Sequence, residues 1–264
     1  MAKITDKELY SILVPGHILI RRKDTPRFSP KCTSTMFQKV LEHDNYDKIY
    51  KILDPFCGNG TNLTTLNIMY SDFITYLFGS DINPKAISAT NINLETLNNL
   101  DGIEKKVDCL DNLLRFFRQE ISEHQSNNDS AELRRKVRST EKRIEDTYRL
   151  GKYLEERRRD FAPYHVFEAN VLVPKRIIQE TGGNIDLIFT DPPYSKQSKW
   201  VNENGEDVQK NLILRFLQVT RDYLNDDGKL VVIFDKEVEL EFPGFGVKQE
   251  VDLHRRTGYI LVPE

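Results

Sequence analysis

An α/β protein organised around a mostly parallel, seven-stranded sheet is what the sequence predicts, and three observations predict it. From residue 49 onward, short apolar runs alternate with helix-like stretches, the pattern of strand–helix–strand units. Several of those runs stop at an acid followed by turn residues, as in KILDPFCG, YLFGSDINP and LIFTDPPY. The last two runs lie too close together for a crossover helix, so they form an antiparallel pair that closes one edge.

In chain order, strands are expected at 49–55, 73–79, 165–169, 185–190, 229–234, 246–253 and 258–262. Helices are expected at 59–70, 84–100, 174–180 and 207–224, with Pro84 well suited to a first helical turn. The stretch 101–163 far exceeds the usual connection in such units. It holds two charge-rich helical segments divided by the polar break SNNDS, which predicts a helical hairpin standing off the sheet. From 133 to 159 it carries eleven Lys or Arg against five Asp or Glu. That pattern suits either a solvated helix laced with ion pairs or a basic arm touching phosphates. Ahead of the sheet, residues 1–48 form an extension with the basic cluster RRKDTPRFSPK and a helix at 34–42, leaving 49–264 as the main domain.

Hydrophobic residues make up 39% of the chain and charged residues 30%, which excludes global disorder. A formal net charge of −3 excludes a chain committed as a whole to nucleic acid, so an anionic partner must meet a local patch. Cys32, Cys57 and Cys109 form no CxxC pair, which argues against a disulfide framework and a zinc site. No stretch approaches the ~20 apolar residues of a membrane span, and the N-terminus lacks a secretory pattern. The expectation is a soluble, cytoplasmic monomer that uses no metal.

ILDPFCGNGTNL is a strand, an acid, a glycine turn and a helix. Gly58 and Gly60 permit backbone angles and a close approach that side chains forbid. A dinucleotide fingerprint would have a third glycine where Leu63 stands, and Asp54 would repel its pyrophosphate. A carboxylate there suits a cationic amino-acid end, which favours S-adenosylmethionine (SAM) over NAD. Pro55 and Cys57 belong to the same candidate cofactor loop. Asp81 closes the next run, where a carboxylate accepts the ribose hydroxyls of a nucleoside, and Ile82 beside it can lie against adenine. Asn170, in FEANVLVP, closes the third run, where its amide can read the adenine edge.

Asp191 closes the fourth run on the same edge, where it is a candidate for cofactor binding as well as for catalysis. Pro192 and Pro193 lack amide hydrogens and cannot continue a ladder, so they form a short rigid loop. Tyr194 adds a flat face with a polar tip. This tetrapeptide suits methylation of an exocyclic amino group on a planar base, whose delocalised lone pair must be drawn out by acceptors. Asp191 and the carbonyl of Pro192 would supply them, and Tyr194 would stack on a base extruded from its helix.

With these residues, the chain resembles a class I, Rossmann-like, SAM-dependent methyltransferase over roughly 49–264. DPFCGNG is similar to the cofactor loop of that class, SDINP to its ribose-binding acid, EAN to its adenine-edge position and DPPY to its catalytic tetrapeptide. The chain is most similar to the avilamycin-resistance rRNA methyltransferase (AviRa) family, which modifies a guanine in large-subunit rRNA. That family also has a long basic helical insertion after its second strand, and a tryptophan-bearing loop after D-x-P-Y that Trp200 matches. The resemblance implies an rRNA or ribosomal-subunit substrate, a guanine target and a link to antibiotic resistance. Two positions depart from the family pattern. Asn170 replaces a commoner acid, though its amide oxygen can still accept, and DPPY replaces a leucine-bearing version, which pulls the chain toward N6-adenine or N2-guanine enzymes and leaves the target atom open.

The loop SKQSKWVNENGED is polar and glycine-hinged, as a substrate lid would be. Lys196 and Lys199 within it, and Arg21, Arg22, Arg27 and Lys31 in the extension, are the candidate phosphate contacts. Trp200 either stacks on a base or packs on the core. His254, Arg255 and Arg256 are expected to form a solvated corner, and His17, His43, His124 and His165 to be structural or exposed. Three other functions stay open: an N6-adenine or N4-cytosine DNA methyltransferase, a catalytically silent SAM- or RNA-binding scaffold, and an NAD-dependent oxidoreductase, which Leu63 and Asp54 disfavour. The lack of a sizeable module for reading DNA sequence favours RNA.

Overall fold

A computed structural model describes residues 4–22, 28–98, 100–123, 129–157, 161–193, 209–236 and 241–264. All seven expected strands form: β1 (Tyr50–Asp54), β2 (Ile74–Asp81), β3 (Tyr164–Glu168), β4 (Ile185–Thr190), β5 (Leu224–Asp235), β6 (Phe245–Asp252) and β7 (Arg256–Pro263). They make one sheet in the order β3-β2-β1-β4-β5-β7-β6. β1 to β5 pair in parallel, whereas β7 runs antiparallel to both β5 and β6. Strand order reverses between β1 and β4, and at such a switch point a crevice opens outside the carboxyl ends of the strands. β1 and β4 are almost wholly buried because helices cover both faces, which explains their near-continuous apolar sequences.

Of the helices, α3 (Thr61–Tyr70), α4 (Pro84–Asn98), α7 (Pro174–Thr181) and α8 (Gln209–Thr220) follow the expected plan. β5 begins at Leu224 rather than 229, because Leu224 pairs with Ile185 across a register irregularity. α2 (Pro30–His43) starts at Pro30, a favoured first-turn residue, ahead of the expected 34. α1 (Asp6–Ile12) was not expected. Its start is a reciprocal capping box: the Glu8 amide donates to Thr5 Oγ1 at 3.4 Å, and the Thr5 amide donates to the Glu8 carboxylate at 2.9 Å.

The extension shares the core of the sheet. Leu9, Ile12 and Leu13 around α1, and Met36 and Phe37 on α2, join Ile52, Leu66 and Leu187 in one hydrophobic cluster. On the opposite face, Leu53 and Ile188 pack with Phe216 and Leu217 of α8.

The insertion is a helical hairpin, α5 (Leu100–Glu123) and α6 (Asp129–Arg157). The expectation that it stands off the sheet needs correcting at its root. Ile103 and Leu150 join the main core, and Gly151 of α6 lets α5 approach, since a Cβ there would lie 3.0 Å from Ile103 Cγ2. Arg149 pairs with Glu8 at 2.6 Å, His17 with Asp146 at 2.8 Å, and Arg143 Nε donates to the His17 carbonyl at 2.6 Å. The hairpin is thereby bolted to the extension.

Candidate active site

β1 carries Asp54 into the interior, where its carboxyl is only 1% exposed. One oxygen accepts from the Phe56 amide at 3.2 Å and Thr190 Oγ1 at 2.8 Å; the other accepts from Asn62 Nδ2 at 3.0 Å. Asp54 thus ties β1 to β4 and α3 at the switch point, and one of the roughly four acceptor directions of a carboxylate remains. Burial pushes its carboxyl up to about 7 despite these donors.

The turn after Asp54 folds tightly around its glycines. Gly60 caps α3 in the left-handed region (φ +74°), and a Cβ there would lie 2.7 Å from Thr90 Cγ2. Pro55 and Cys57 are buried beneath the turn, and the Cys57 amide donates to the Ser80 carbonyl at 2.9 Å. Leu63 occupies the position where a dinucleotide fingerprint has glycine, and the room comes from the facing strand instead. Gly79 of β2 has no Cβ, and one placed there would lie 2.6 Å from Leu63 Cδ1. Asn59, between the two glycines, is 3% exposed, and its Nδ2 has no hydrogen-bond partner among the described residues.

Asp81 ends β2 facing that turn, and accepts from the Gly58 amide at 3.1 Å and the Asn83 amide at 2.9 Å. Burial raises its carboxyl above the ordinary value, with Arg22 and the two amides acting in the opposite sense. Ile82, next in sequence, is 66% exposed, an apolar platform at the carboxyl edge. Asn170, just beyond β3, is also exposed, and its side-chain oxygen accepts from the Leu172 amide at 3.0 Å.

Asp191 follows β4 directly, with Pro192 buried behind it and Pro193 partly exposed. Arg256 Nη1 donates to Asp191 Oδ2 at 2.8 Å. This overturns the expectation that Arg256 belongs to a solvated corner; His254 and Arg255 do stay exposed. The reason lies in strand direction: β7 is antiparallel, so its first residue sits at the carboxyl edge of the parallel strands, opposite Asp235 at the end of β5. His17, His43 and His165 bond to Asp146, Gln249 and Glu180.

The extension crosses this edge. Asn93 of α4 is bonded to both backbone groups of Ile20, and its Nδ2 also donates to the Asn59 carbonyl at 2.8 Å. Arg22 Nη1 donates to Asn83 Oδ1 at 3.2 Å, which places its guanidinium beside the Asp81 turn. Arg21 and Lys31 are exposed. Arg134, Arg138 and Lys142 stand exposed on one face of α6 at four-residue spacing, while Glu132 and Glu141 are taken up by Lys136 and Arg118. Arg27, Tyr194, Lys196, Lys199, Trp200 and His124 lie outside the described residues.

The donor set suits a nucleoside with a cationic amino-acid end: an apolar platform, carboxylates with acceptor directions to spare, and a buried amide donor in a cradle that a Cβ would fill. The chain matches the family model for the rRNA methyltransferase AviRa over residues 3–253. The chain belongs to the AviRa family. It is a SAM-dependent rRNA methyltransferase, which replaces the DNA enzyme and the silent scaffold left open by the motifs. A curated relative, the 23S rRNA (guanine(2535)-N(1))-methyltransferase of Streptomyces viridochromogenes, is 23% identical over 191 residues, 72% of this chain and 68% of the relative. The rRNA methyltransferase AviRa of that organism, solved at 2.4 Å, superposes with a TM-score of 0.71, is 19% identical, and is matched over 99% of this chain and 94% of its own. A second structure of it, at 1.5 Å, gives 0.71 at 18% identity over 98% and 93%. The α/β fold with its seven-stranded sheet matches that of these two structures. Among the described residues no group of three or more His, Cys, Asp or Glu could hold a metal, and no helix is long and apolar enough to cross a membrane.

Proposed function

We propose that this enzyme methylates a guanine of 23S rRNA at N1. The observation that carries the reading is Asp191, a carboxylate held at the switch point two strands from the Asp81–Ile82 platform. Guanine N1 bears a proton in the neutral base, so methylation there needs an acceptor at the reacting nitrogen. The N1 specificity named for the curated relative supports this atom over the exocyclic amine expected from DPPY.

When bound, SAM supplies an electrophilic methyl group on a sulfonium. Asp81 holds the ribose hydroxyls, Ile82 the adenine face and Asn170 its edge. Asp54 and Asn59 hold the amino and carboxylate groups of the amino-acid end, which the glycine turn allows to come close. Asp191 accepts the N1 hydrogen, the Pro192 carbonyl takes a hydrogen of the 2-amino group, and the two prolines keep both acceptors in place. Orienting the reacting groups this way contributes about 7–11 kcal/mol. Arg21, Lys31 and the cationic face of α6 meet rRNA phosphates, gripping a folded backbone by shape.

The test is tritiated-methyl transfer from SAM into a 23S rRNA transcript, into large subunits and into DNA, with the product nucleoside identified by mass spectrometry. N1-methylguanosine is expected, and it also stops primer extension because the methyl blocks the pairing edge. Inosine at the mapped position keeps N1–H but lacks the 2-amino group, and should still be methylated. Label confined to DNA, or N2-methylguanosine with inert inosine, would refute the reading. Asp191→Ala should abolish turnover while leaving SAM affinity, measured by calorimetry, unchanged.

A further inference from the structure

We propose that Asp191 and Arg256 act as one recognition pair for the N1–H and C6=O6 edge of guanine, the carboxylate accepting from N1–H and the guanidinium donating to O6. This rests on the N1 reading above and adds what selects the base. The two side chains are joined at 2.8 Å, and each is only about one-fifth exposed, at 18% for Asp191 and 20% for Arg256. The guanidinium is held from other sides as well. Its Nε lies 3.6 Å from Asp235 Oδ1, and its Cζ sits 5.0 Å over the ring of Phe28 from the extension. A planar five-donor group fixed by an ion pair and an aromatic face is preorganised, so little freedom remains to be lost when a base arrives.

The chemistry of the edge then decides between bases. Guanine offers a donor at N1 and an acceptor at O6, the complement of an acceptor beside a donor. Adenine offers the reverse, an acceptor at N1 and a donor at N6, so both contacts would set like against like. A carboxylate alone would not make this distinction, because it accepts equally from guanine N1–H and from an adenine amine. The pair also suits the reaction. The N1 proton passes to Asp191 as N1 bonds the methyl carbon, and the electron pair of the broken carbon–sulfur bond stays on sulfur. Charge leaving N1 would otherwise gather on O6, where Arg256 offsets it.

The experiment compares wild type, Arg256→Met, Arg256→Lys and Phe28→Leu in single-turnover methylation of the 23S rRNA transcript at saturating RNA and SAM. The target position carries guanosine or inosine. Arg256→Met should slow transfer about a hundredfold, as removal of one donor to a developing oxyanion does. Guanosine and inosine should suffer alike, since they share the same edge, with SAM affinity by calorimetry unchanged. Arg256→Lys keeps the charge without the planar fork and should restore part of the rate. An unchanged rate in Arg256→Met, a loss seen only in SAM affinity, or an equal loss in Phe28→Leu, which keeps the guanidinium, would overturn the pair while leaving N1 methylation standing. Wild-type enzyme that leaves inosine untouched would instead overturn the N1 reading, and the pair with it.

Discussion

Replacing Asp54 with asparagine should remove a specific part of the pH dependence of folding. The buried carboxyl of Asp54 is pushed up to about 7, whereas the ordinary value is 3.8. Between those values the folded state holds the proton and the unfolded chain has lost it. Stability from this group is therefore full below about 4, falls as the pH rises toward 7, and is level above that. The whole gap corresponds to about 4 kcal/mol, of which about 3 kcal/mol falls between pH 4.5 and 8. Asparagine has the same shape and never ionises. Urea unfolding of the cofactor-free protein at those two pH values should show wild type losing about 3 kcal/mol more than Asp54→Asn. Glu8, Asp44, Glu180, Asp227 and Asp252, whose partners hold them low, contribute alike to both proteins and cancel in the difference. Parallel curves would refute the reasoning, because they would mean that Asp54 meets water or a cation that removes the burial penalty.

Other outcomes follow from the same geometry. Ile82→Ser should leave the melting temperature unchanged, because the side chain is 66% exposed, yet lower SAM affinity about tenfold by calorimetry through lost apolar burial. Gly60→Ala should cost about 2 kcal/mol in urea unfolding from its positive φ and the clash with Thr90, and adding Thr90→Ser should return part of it. Reversing Arg134, Arg138 and Lys142 to glutamate should weaken transcript binding and make the log–log salt slope shallower by about 2–3, with SAM affinity intact. A salt slope equal to wild type would show that this face of α6 does not meet phosphates.

Much of this architecture was legible in the chain. ILDP, YLFGSD and LIFTDPP announce buried strands that end in acids, because a parallel strand covered on both faces has no polar position until it leaves the sheet. The signal for α1 was present as Thr5 and Glu8, a capping-box spacing, but the helix is a short seven residues. Leu63 was legible only as a departure from the dinucleotide pattern. Its compensation, Gly79, lies on another strand, and only packing brings the two together. Nothing in the sequence singles out Asn59 between its two glycines, and its buried amide, with Nδ2 unpartnered among the described residues, becomes visible only in three dimensions. The Tyr194–Trp200 part of the site, prominent in the sequence, falls outside the described residues.

The sequence by itself determined the strand count, the order of the strand-ending acids and the presence of a long helical insertion. These follow from local periodicity and from which residues can leave a ladder. The tertiary structure alone decided which side chains meet at the carboxyl edge. Arg256 reaches Asp191, 65 positions away, because one antiparallel strand returns its first residue to the edge where the parallel strands end. α6 grips the extension through Arg149–Glu8, His17–Asp146 and Arg143 to the His17 carbonyl, contacts that form only once the elements lie side by side. Such contacts depend on strand direction and on shape across the sheet, and neither is written in any local run of residues.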